Sequence, residues 1–277
     1  MKTKHALAAF FVSLSLTTAP PAFGWGVEGH NAVAHIAQRH LTRRADREVT
    51  RLLDGRSMAY WSAWADGLRG DARYDFLSTW HYANAGEGLT YADAPKNPTG
   101  DVYTAVMECV DRLEERGASD SLRAVWLKLL IHFVGDMHCP MHAGHPEDRG
   151  GNGFPVVFQG AESNLHRLWD GQIIDAARPW DALEWAVNLD YGAGAGLLGP
   201  GSGSRSWSRR RPDRELSAGE PLDWMEQTVV LSHRLYDDTP RGEAVSRAYI
   251  TRYTPLIEQK FIEAGHRLAR LLNRLFP

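Results

Sequence analysis

The feature that most constrains this sequence is an apolar helical segment, residues 121–137, that carries a histidine and an aspartate. Its apolar residues recur at helical spacing over a wide surface, which is typical of a buried helix. His132 and Asp136 are four residues apart and therefore share one helix face. No other Asp, Glu, Lys or Arg occurs between residues 131 and 146. Because an unpaired carboxylate is costly in such a setting, the pattern predicts that both side chains bind a cation.

A second histidine–aspartate pair repeats this spacing at His166 and Asp170. Between the two pairs, Pro140 is expected to end the first helix and to let His142 turn back toward the first pair. A single His-x-x-x-Asp on a helix is more often a surface pair than a ligand pair. Two such pairs together with His142 favour a metal site, and imidazole with carboxylate is a ligand set that suits zinc.

Two further candidate ligands lie upstream, each beside aromatic residues. Asp66 follows Trp64 closely, and His81 lies between Trp80 and Tyr82. Either residue alone is weak support for a metal site. The alternative is that the aromatic residues belong to the core and that a backbone carbonyl satisfies His81.

The N-terminus has the pattern of an export signal. Two lysines precede an apolar run at residues 6–16, and Ala22 and Gly24 are the small residues that a signal peptidase recognises. The apolar run is too short to span a bilayer. We therefore expect residues 1–24 to be removed and the mature protein to begin at Trp25, in a secreted or periplasmic location.

Helical periodicity dominates the remaining chain, so residues 25–277 are predicted to form one all-α domain. A short strand is expected after the turn signal at residues 150–153. The predicted elements besides residues 121–137 are helices at 27–41, 221–236 and 245–276, the last with a bend near Pro255, and the strand at 154–158.

Residues 191–214 differ from their surroundings, since they are rich in Gly and Ser and then in Arg, with Trp207 among the arginines. The composition indicates a solvated loop. The alternative is a basic arm that contacts phosphate and base.

The net charge of −3 does not indicate a general polyanion binder, although bound metal ions would reverse the charge locally. Only Cys109 and Cys139 are present, and either one disulfide or two free thiols is open.

The ordered motifs resemble those of the zinc-dependent single-strand-specific nuclease and 3′-nucleotidase family, which is related in fold to zinc-dependent phospholipase C. The resemblance extends from residue 25 to about residue 275, where residues 264–273 are similar to the final helix of that family. The motifs are Trp25-Gly-x-x-Gly-His30, Trp64-Ala-Asp66-x-x-Arg69, Trp80-His81-Tyr82, His132-x-x-x-Asp136 with His142 six residues further on, and Asn164-Leu-His166-x-x-Trp169-Asp170.

The resemblance implies three zinc ions in a mostly helical domain. The first ion would bind Asp66, His81, His132 and Asp136, and the second would bind His142, His166 and Asp170. The third would bind His30, the other oxygen of Asp136, and both the α-amine and the carbonyl of Trp25. A free α-amine has a lone pair for zinc whereas an internal amide nitrogen does not, so signal removal is expected to complete the cluster.

The resemblance also implies roles for residues near the metals. Asp66 would orient the attacking water, and Arg69 would contact the phosphate, although from sequence alone a surface arginine is the simpler interpretation. Substrates would be single-stranded DNA and RNA and 3′-nucleotides, with 5′-phosphomonoesters as polymer products. Asn84 and Gln172 depart from residues found in some members, so these two are candidates for substrate selection. A monomer without a stable protein partner is expected.

Two alternatives compete with a nuclease. A zinc-dependent phospholipase C would carry a glutamate in the last histidine–acid pair, where this chain has Asp170, and would place its first histidine farther from the N-terminal tryptophan. A zinc-storage protein would close its site with four protein ligands. The group of His142, His166 and Asp170 supplies only three ligands, which favours an open catalytic ion.

Overall fold

The computed structural model describes residues 25–190 and 211–277. The predicted signal at 1–24 and most of the loop predicted at 191–214 lie outside these residues. The described part is helical apart from one small hairpin, which confirms the predicted all-α class. Its helices and strands are α1 Val27–Arg39, α2 Arg43–Leu52, α3 Met58–Trp61, α4 Val102–Glu114, α5 Asp120–His138, β1 Pro155–Phe158, β2 Ala161–Asn164, α6 Leu165–Arg167, α7 Ile173–Ala177, α8 Ala182–Leu189, α9 Pro221–Asp238 and α10 Arg247–Leu275.

Helix α5 is the centre of the domain. The hydroxyl of Ser119 accepts a hydrogen bond from the amide of Leu122 and so caps its N-terminus. All residues from 129 to 138 are buried, which confirms the expectation of a buried helix. The helix ends before Pro140, as predicted, because a proline cannot supply the backbone donor of the next turn.

Helices α1 and α10 pack closely across the domain. A methyl group at Gly265 in α10 would lie 2.3 Å from Cγ2 of Ile36 in α1, so only glycine permits this approach. Helix α10 continues through Pro255 as one element. Asn273 near its end joins the N-terminal region, since its side chain accepts from the amide of Thr42 and donates to the carbonyl of His40.

The hairpin of β1 and β2 delivers a ligand-bearing segment. The strands pair antiparallel with Pro155 opposite Asn164 and Phe158 opposite Ala161, and the first strand coincides with the predicted one. Asn164 then caps α6 by accepting from the amide of Arg167 at 2.7 Å. His166 therefore follows directly from the hairpin.

Cys109 and Cys139 are both buried and free. In residues 25–190 and 211–277, none of the helices combines the length and the apolar character needed to cross a bilayer.

Candidate metal centre

Four predicted ligands come together at one face of α5, which itself supplies His132 and Asp136. Asp66 lies in a 3₁₀ turn, Asp66–Leu68, that follows α3, and His81 follows a longer 3₁₀ segment, Ala72–Thr79. Asp136 Oδ2 lies 2.9 Å from His81 Nδ1 and 3.0 Å from His132 Nε2. Asp66 Oδ1 lies 3.9 Å from the same nitrogen of His81 and 3.8 Å from that of His132. These spacings resemble the edge of about 3.3 Å expected between ligands in a zinc tetrahedron with bonds of about 2.0 Å.

Hydrogen bonds to backbone carbonyls orient three of the imidazole rings. His132 Nδ1 donates to Ser62 at 2.7 Å, His142 Nδ1 donates to His81 at 2.5 Å, and His166 Nδ1 donates to Gly150 at 2.6 Å. Each bond fixes the proton on Nδ1 and leaves the lone pair of Nε2 for a metal ion.

The second predicted group lies beside the first. His166 Nε2 is 3.1 Å from Asp170 Oδ2, and His142 Nε2 is 3.7 Å from Asp170 Oδ1. A π-helical turn, Leu168–Gln172, carries Asp170, and such turns are frequent at functional sites. His142 turns back as predicted, because the 3₁₀ turn Pro140–Ala143 directs its Nδ1 to within 3.3 Å of Asp136 Oδ1.

The third predicted group lies at the start of α1. His30 Nε2 is 3.3 Å from Asp136 Oδ1, and the two side chains are fully buried. The amide of Gly26 donates to the main-chain carbonyl of Asp170 at 2.5 Å, which places residue 25 beside the second group. The Trp25 ring is buried against Phe261, with ring centroids 5.0 Å apart.

The cluster leaves buried polar atoms without hydrogen-bond partners. They are both ring nitrogens of His30, Oδ1 of Asp66, Oδ1 of Asp136 and Oδ2 of Asp170. Burial disfavours a charged imidazole, but the carboxylates of Asp136 and Asp66 raise the pKa of His132 to about 9. The cluster therefore attracts positive charge strongly. Unpartnered carboxylate and imidazole lone pairs at these spacings fit zinc, because zinc would satisfy the atoms that the fold leaves orphaned.

A cleft of about 880 Å³ opens onto the cluster. His81, His142 and His166 lie in its wall, so the ligand groups face solvent on this side. The other polar and aromatic side chains that line it are Arg69, Tyr74, Asp75, Ser78, Tyr82, Asn84, Arg149, Asn152, Asn164 and Arg167. The sequence alone did not point to six of these residues, Tyr74, Asp75, Ser78, Arg149, Asn152 and Arg167. Arg149 precedes the turn signal at residues 150–153 and Asn152 lies within it, whereas Arg167 follows the predicted ligand His166. These positions next to predicted site features are the only indication that the sequence offered for the three residues.

The remaining predicted site residues occupy different places. Arg69 lines the cleft, with Nη2 3.4 Å from Asp66 Oδ1. Asn84 also lines the cleft, and its Oδ1 is buried without a hydrogen-bond partner. Gln172 is not among the lining residues, and its Oε1 accepts from the hydroxyl of Ser163 at 2.7 Å. Its side chain is thus used in holding β2 to the π-helical turn.

A fourth cluster of histidine and aspartate has a structural explanation. Asp190 Oδ1 lies 2.8 Å from His40 Nε2 and 3.4 Å from His266 Nε2, and Asp190 Oδ2 lies 2.9 Å from Arg39 Nη1. His266 Nδ1 accepts from the amide of Asp213 at 2.8 Å, so its proton is on Nε2 and points at Asp190. Arg39 and these donors already neutralise the carboxylate, which leaves little demand for a metal ion.

Comparison with known proteins gives one consistent group of relatives. The sequence profile of the family described as S1/P1 Nuclease matches residues 25–277. The chain is 25% identical to Endonuclease 2 of Arabidopsis thaliana, over 99% of this chain and 98% of that protein. It is 27% identical to Nuclease S1 of Aspergillus oryzae, over 94% of each chain. It is 28% identical to Nuclease P1 of Penicillium citrinum, over 60% of this chain and 65% of that one.

Proposed function

The chain belongs to the S1/P1 nuclease family and is a zinc-dependent nuclease, and we propose that it hydrolyses phosphodiester bonds of single-stranded DNA and RNA to 5′-phosphomonoesters. We extend the proposal to removal of the 3′-phosphate from 3′-nucleotides, since the same cleavage between phosphorus and the 3′ oxygen achieves both. The observation that carries the proposal is the convergence of the predicted ligands into one cluster, of which His81, His142 and His166 line the cleft.

Three zinc ions are part of this proposal. The first would be held by Asp66, His81, His132 and Asp136, and the second by His142, His166 and Asp170. The third would be held by His30, the second carboxylate oxygen of Asp136, and the amine and carbonyl of Trp25. The two oxygens of Asp136 support this sharing, because Oδ2 lies near His81 and His132 whereas Oδ1 lies near His30.

Zinc held by these groups would supply Lewis-acid catalysis and would lower the pKa of a water molecule toward about 7. The residues of the chain then position the reactants. Asp66 lies at the edge of the cluster, where its carboxylate accepts a hydrogen bond from the attacking water and orients it. Arg69 presents its guanidinium to the cleft from beside Asp66, and this planar donor pair suits two phosphate oxygens.

The walls of the cleft favour single strands. Tyr74 and Tyr82 offer aromatic faces on which an unpaired base stacks, and Asn84 lines the same cleft. Bases in a duplex are paired and stacked on one another, so they would have to leave the helix to reach these groups. This feature supports a preference for unpaired nucleic acid without separating DNA from RNA.

A phospholipase C is not favoured. The relatives named above are nucleases or endonucleases, and Asp170 stands where a phospholipase C was expected to carry glutamate. Storage of zinc is also disfavoured, because His142 and His166 line an open cleft instead of a closed site.

The proposal is tested with mature protein beginning at Trp25, which is given single-stranded DNA, single-stranded RNA and phosphatidylcholine. We expect release of 5′-nucleotides from both polymers, loss of this activity with a chelator, and recovery with zinc. Cleavage of the lipid alone would assign the site to a phospholipase. Zinc binding with no turnover of any of these substrates would instead support a zinc-storage protein.

The proposal includes export and a monomeric state. Residues 6–16 and the small residues at 22 and 24 support removal of a signal peptide. N-terminal sequencing of the secreted protein checks the first point, and the elution volume on size exclusion checks the second.

A further inference from the structure

The charged residues of the cleft do not follow the net charge of the chain. The whole sequence carries −3, yet the cleft is lined by three arginines, Arg69, Arg149 and Arg167, and by one aspartate, Asp75. Arg69 has a place in the proposed chemistry, because it lies 3.4 Å from Asp66. Arg149 and Arg167 have none so far.

Both of these arginines are attached to the second ligand group. Arg149 precedes Gly150, whose carbonyl accepts from His166, and Arg167 follows His166 in the chain. Arg69, in contrast, is beside Asp66 in the first ligand group. The cleft therefore presents cations next to both ends of the metal cluster.

The backbone around Arg149 is firmly held. Its amide donates to the carbonyl of Pro146 at 3.1 Å, and its own carbonyl accepts from the side chain of Asn152 at 2.9 Å. The adjacent acid, Asp148, accepts from the amide of Gly151 and from the hydroxyl of Tyr236, both at 2.7 Å. The carboxylate next to Arg149 is thus occupied by neutral donors.

Arg167 is positioned by its helix. Its amide donates to the capping side chain of Asn164, and its own side chain is exposed toward the cleft. Within residues 25–190 and 211–277, neither Arg149 nor Arg167 forms an ion pair with a carboxylate. Two arginines without acidic partners at a substrate cleft are well suited to bind anions.

We propose that Arg149 and Arg167 bind phosphates of a polynucleotide next to the one that is cleaved, and that they set the preference for polymers over mononucleotides. This inference rests on the proposed nuclease function. The scissile phosphate would lie at the ligand cluster beside Arg69, so a neighbouring phosphate on the His166 side would meet these two guanidinium groups. A 3′-nucleotide has no neighbouring phosphate and gains nothing from them.

The experiment compares the double variant Arg149→Gln/Arg167→Gln with the native protein on oligothymidylate and on adenosine 3′-monophosphate. We expect KM for the polymer to rise about 10-fold while kcat/KM for the mononucleotide changes less than about 2-fold. The dependence of log(kcat/KM) on log salt should weaken by about 0.7 for each lost phosphate contact, for the polymer only. Arg149→Lys/Arg167→Lys should restore much of the polymer KM because the charge remains.

Arg116→Gln is the matched control, since Arg116 is exposed and lies outside the cleft. Equal losses on both substrates, or an unchanged polymer KM and salt slope, would overturn the inference. Zinc content equal to that of the native protein shows that the double variant has kept its fold. Failure of the proposed function is distinct, because the native protein would then cleave neither substrate.

Discussion

Gly135 in α5 touches the imidazole ring of His30, and a methyl group at Gly135 would lie 2.6 Å from His30 Nδ1. Because this is far inside van der Waals contact, the substitution Gly135→Ala must displace His30 from Asp136. We expect the variant to bind one zinc ion fewer than the native protein and to lose about 10- to 100-fold in kcat/KM. Metal analysis together with cleavage of single-stranded DNA checks both numbers.

Gly171→Ala is the control for this substitution. Like Gly135, Gly171 is adjacent to a proposed ligand in the chain, since it follows Asp170. A methyl group at Gly171 would meet nothing within 4 Å. Native zinc content and activity are expected for this control. Three zinc ions in Gly135→Ala would contradict the proposed role of His30.

The proposed N-terminal amine at Trp25 gives a second prediction. The hydrogen bond from Gly26 to Asp170 holds residue 25 beside the cluster. We expect a protein that keeps its signal, or carries an N-terminal tag before Trp25, to lack the third zinc ion and nearly all activity, because an amide nitrogen cannot replace an amine as a ligand. A tag after the exposed Pro277 is the control, and full activity with three zinc ions in the N-terminally tagged protein would disprove the idea.

Arg69 should behave differently from the two arginines on the His166 side. Since it is proposed to contact the scissile phosphate, Arg69→Gln should lower kcat/KM about 100-fold for polymers and for 3′-nucleotides alike. Zinc content should remain native, because Arg69 is not a ligand. A loss confined to the polymer would place Arg69 outside the reaction centre.

Asp66→Asn should reduce kcat about 100- to 10,000-fold, because the amide can neither accept a proton nor orient water as a carboxylate does. The measurement is kcat at saturating zinc, with metal content determined in parallel. Near-native kcat in a variant that retains zinc would remove Asp66 from the proposed catalytic role.

Asp190 predicts a dependence of stability on pH. Burial would raise its pKa, but hydrogen bonds from His266 and His40 and the charge of Arg39 lower it to about 2. A lowered folded-state pKa stabilises the protein above the unfolded value of about 3.9, and this contribution is lost as pH falls toward about 2. Asp190→Asn should therefore lower the free energy of unfolding by about 1–2 kcal/mol at neutral pH, allowing for solvent screening, and by less at about pH 3.

Denaturant unfolding of native protein and variant at several pH values tests this expectation, with the exposed Asp237→Asn as control. A difference between native protein and Asp190→Asn that stays constant from neutral to acid pH would show that Asp190 acts through packing and not through its charge.

The local parts of the site were predictable from sequence because they depend on helical spacing. The apolar segment around His132 and Asp136 allowed a buried ligand pair to be inferred, and Pro140 predicted the end of α5 and the return of His142. The structure confirms the helix and the convergence of the side chains. Residue roles at the metals and the cleavage after Gly24 remain predictions.

The long-range parts were not predictable from residue patterns. Nothing near His81 in the sequence indicates that its Nδ1 faces Asp136, since that depends on how the 3₁₀ segment folds over α5. Arg149 and Arg167 look like ordinary surface arginines, and only the folded cleft brings them together. Nothing in the sequence links His40 to His266, and their shared partner Asp190 is visible only in three dimensions.

His266 has a consequence for protein engineering. One ring nitrogen of His266 contacts Asp190 and the other accepts from the amide of Asp213, so one imidazole joins residues 190 and 213. These contacts do not depend on the number of residues between positions 190 and 213. The entropic cost of closing a loop also grows only slowly with its length. The proposed metal ligands lie on other elements. A guest domain or a reporter inserted between Asp190 and Asp213 should therefore leave the nuclease active, which makes this position suitable for building fusion enzymes.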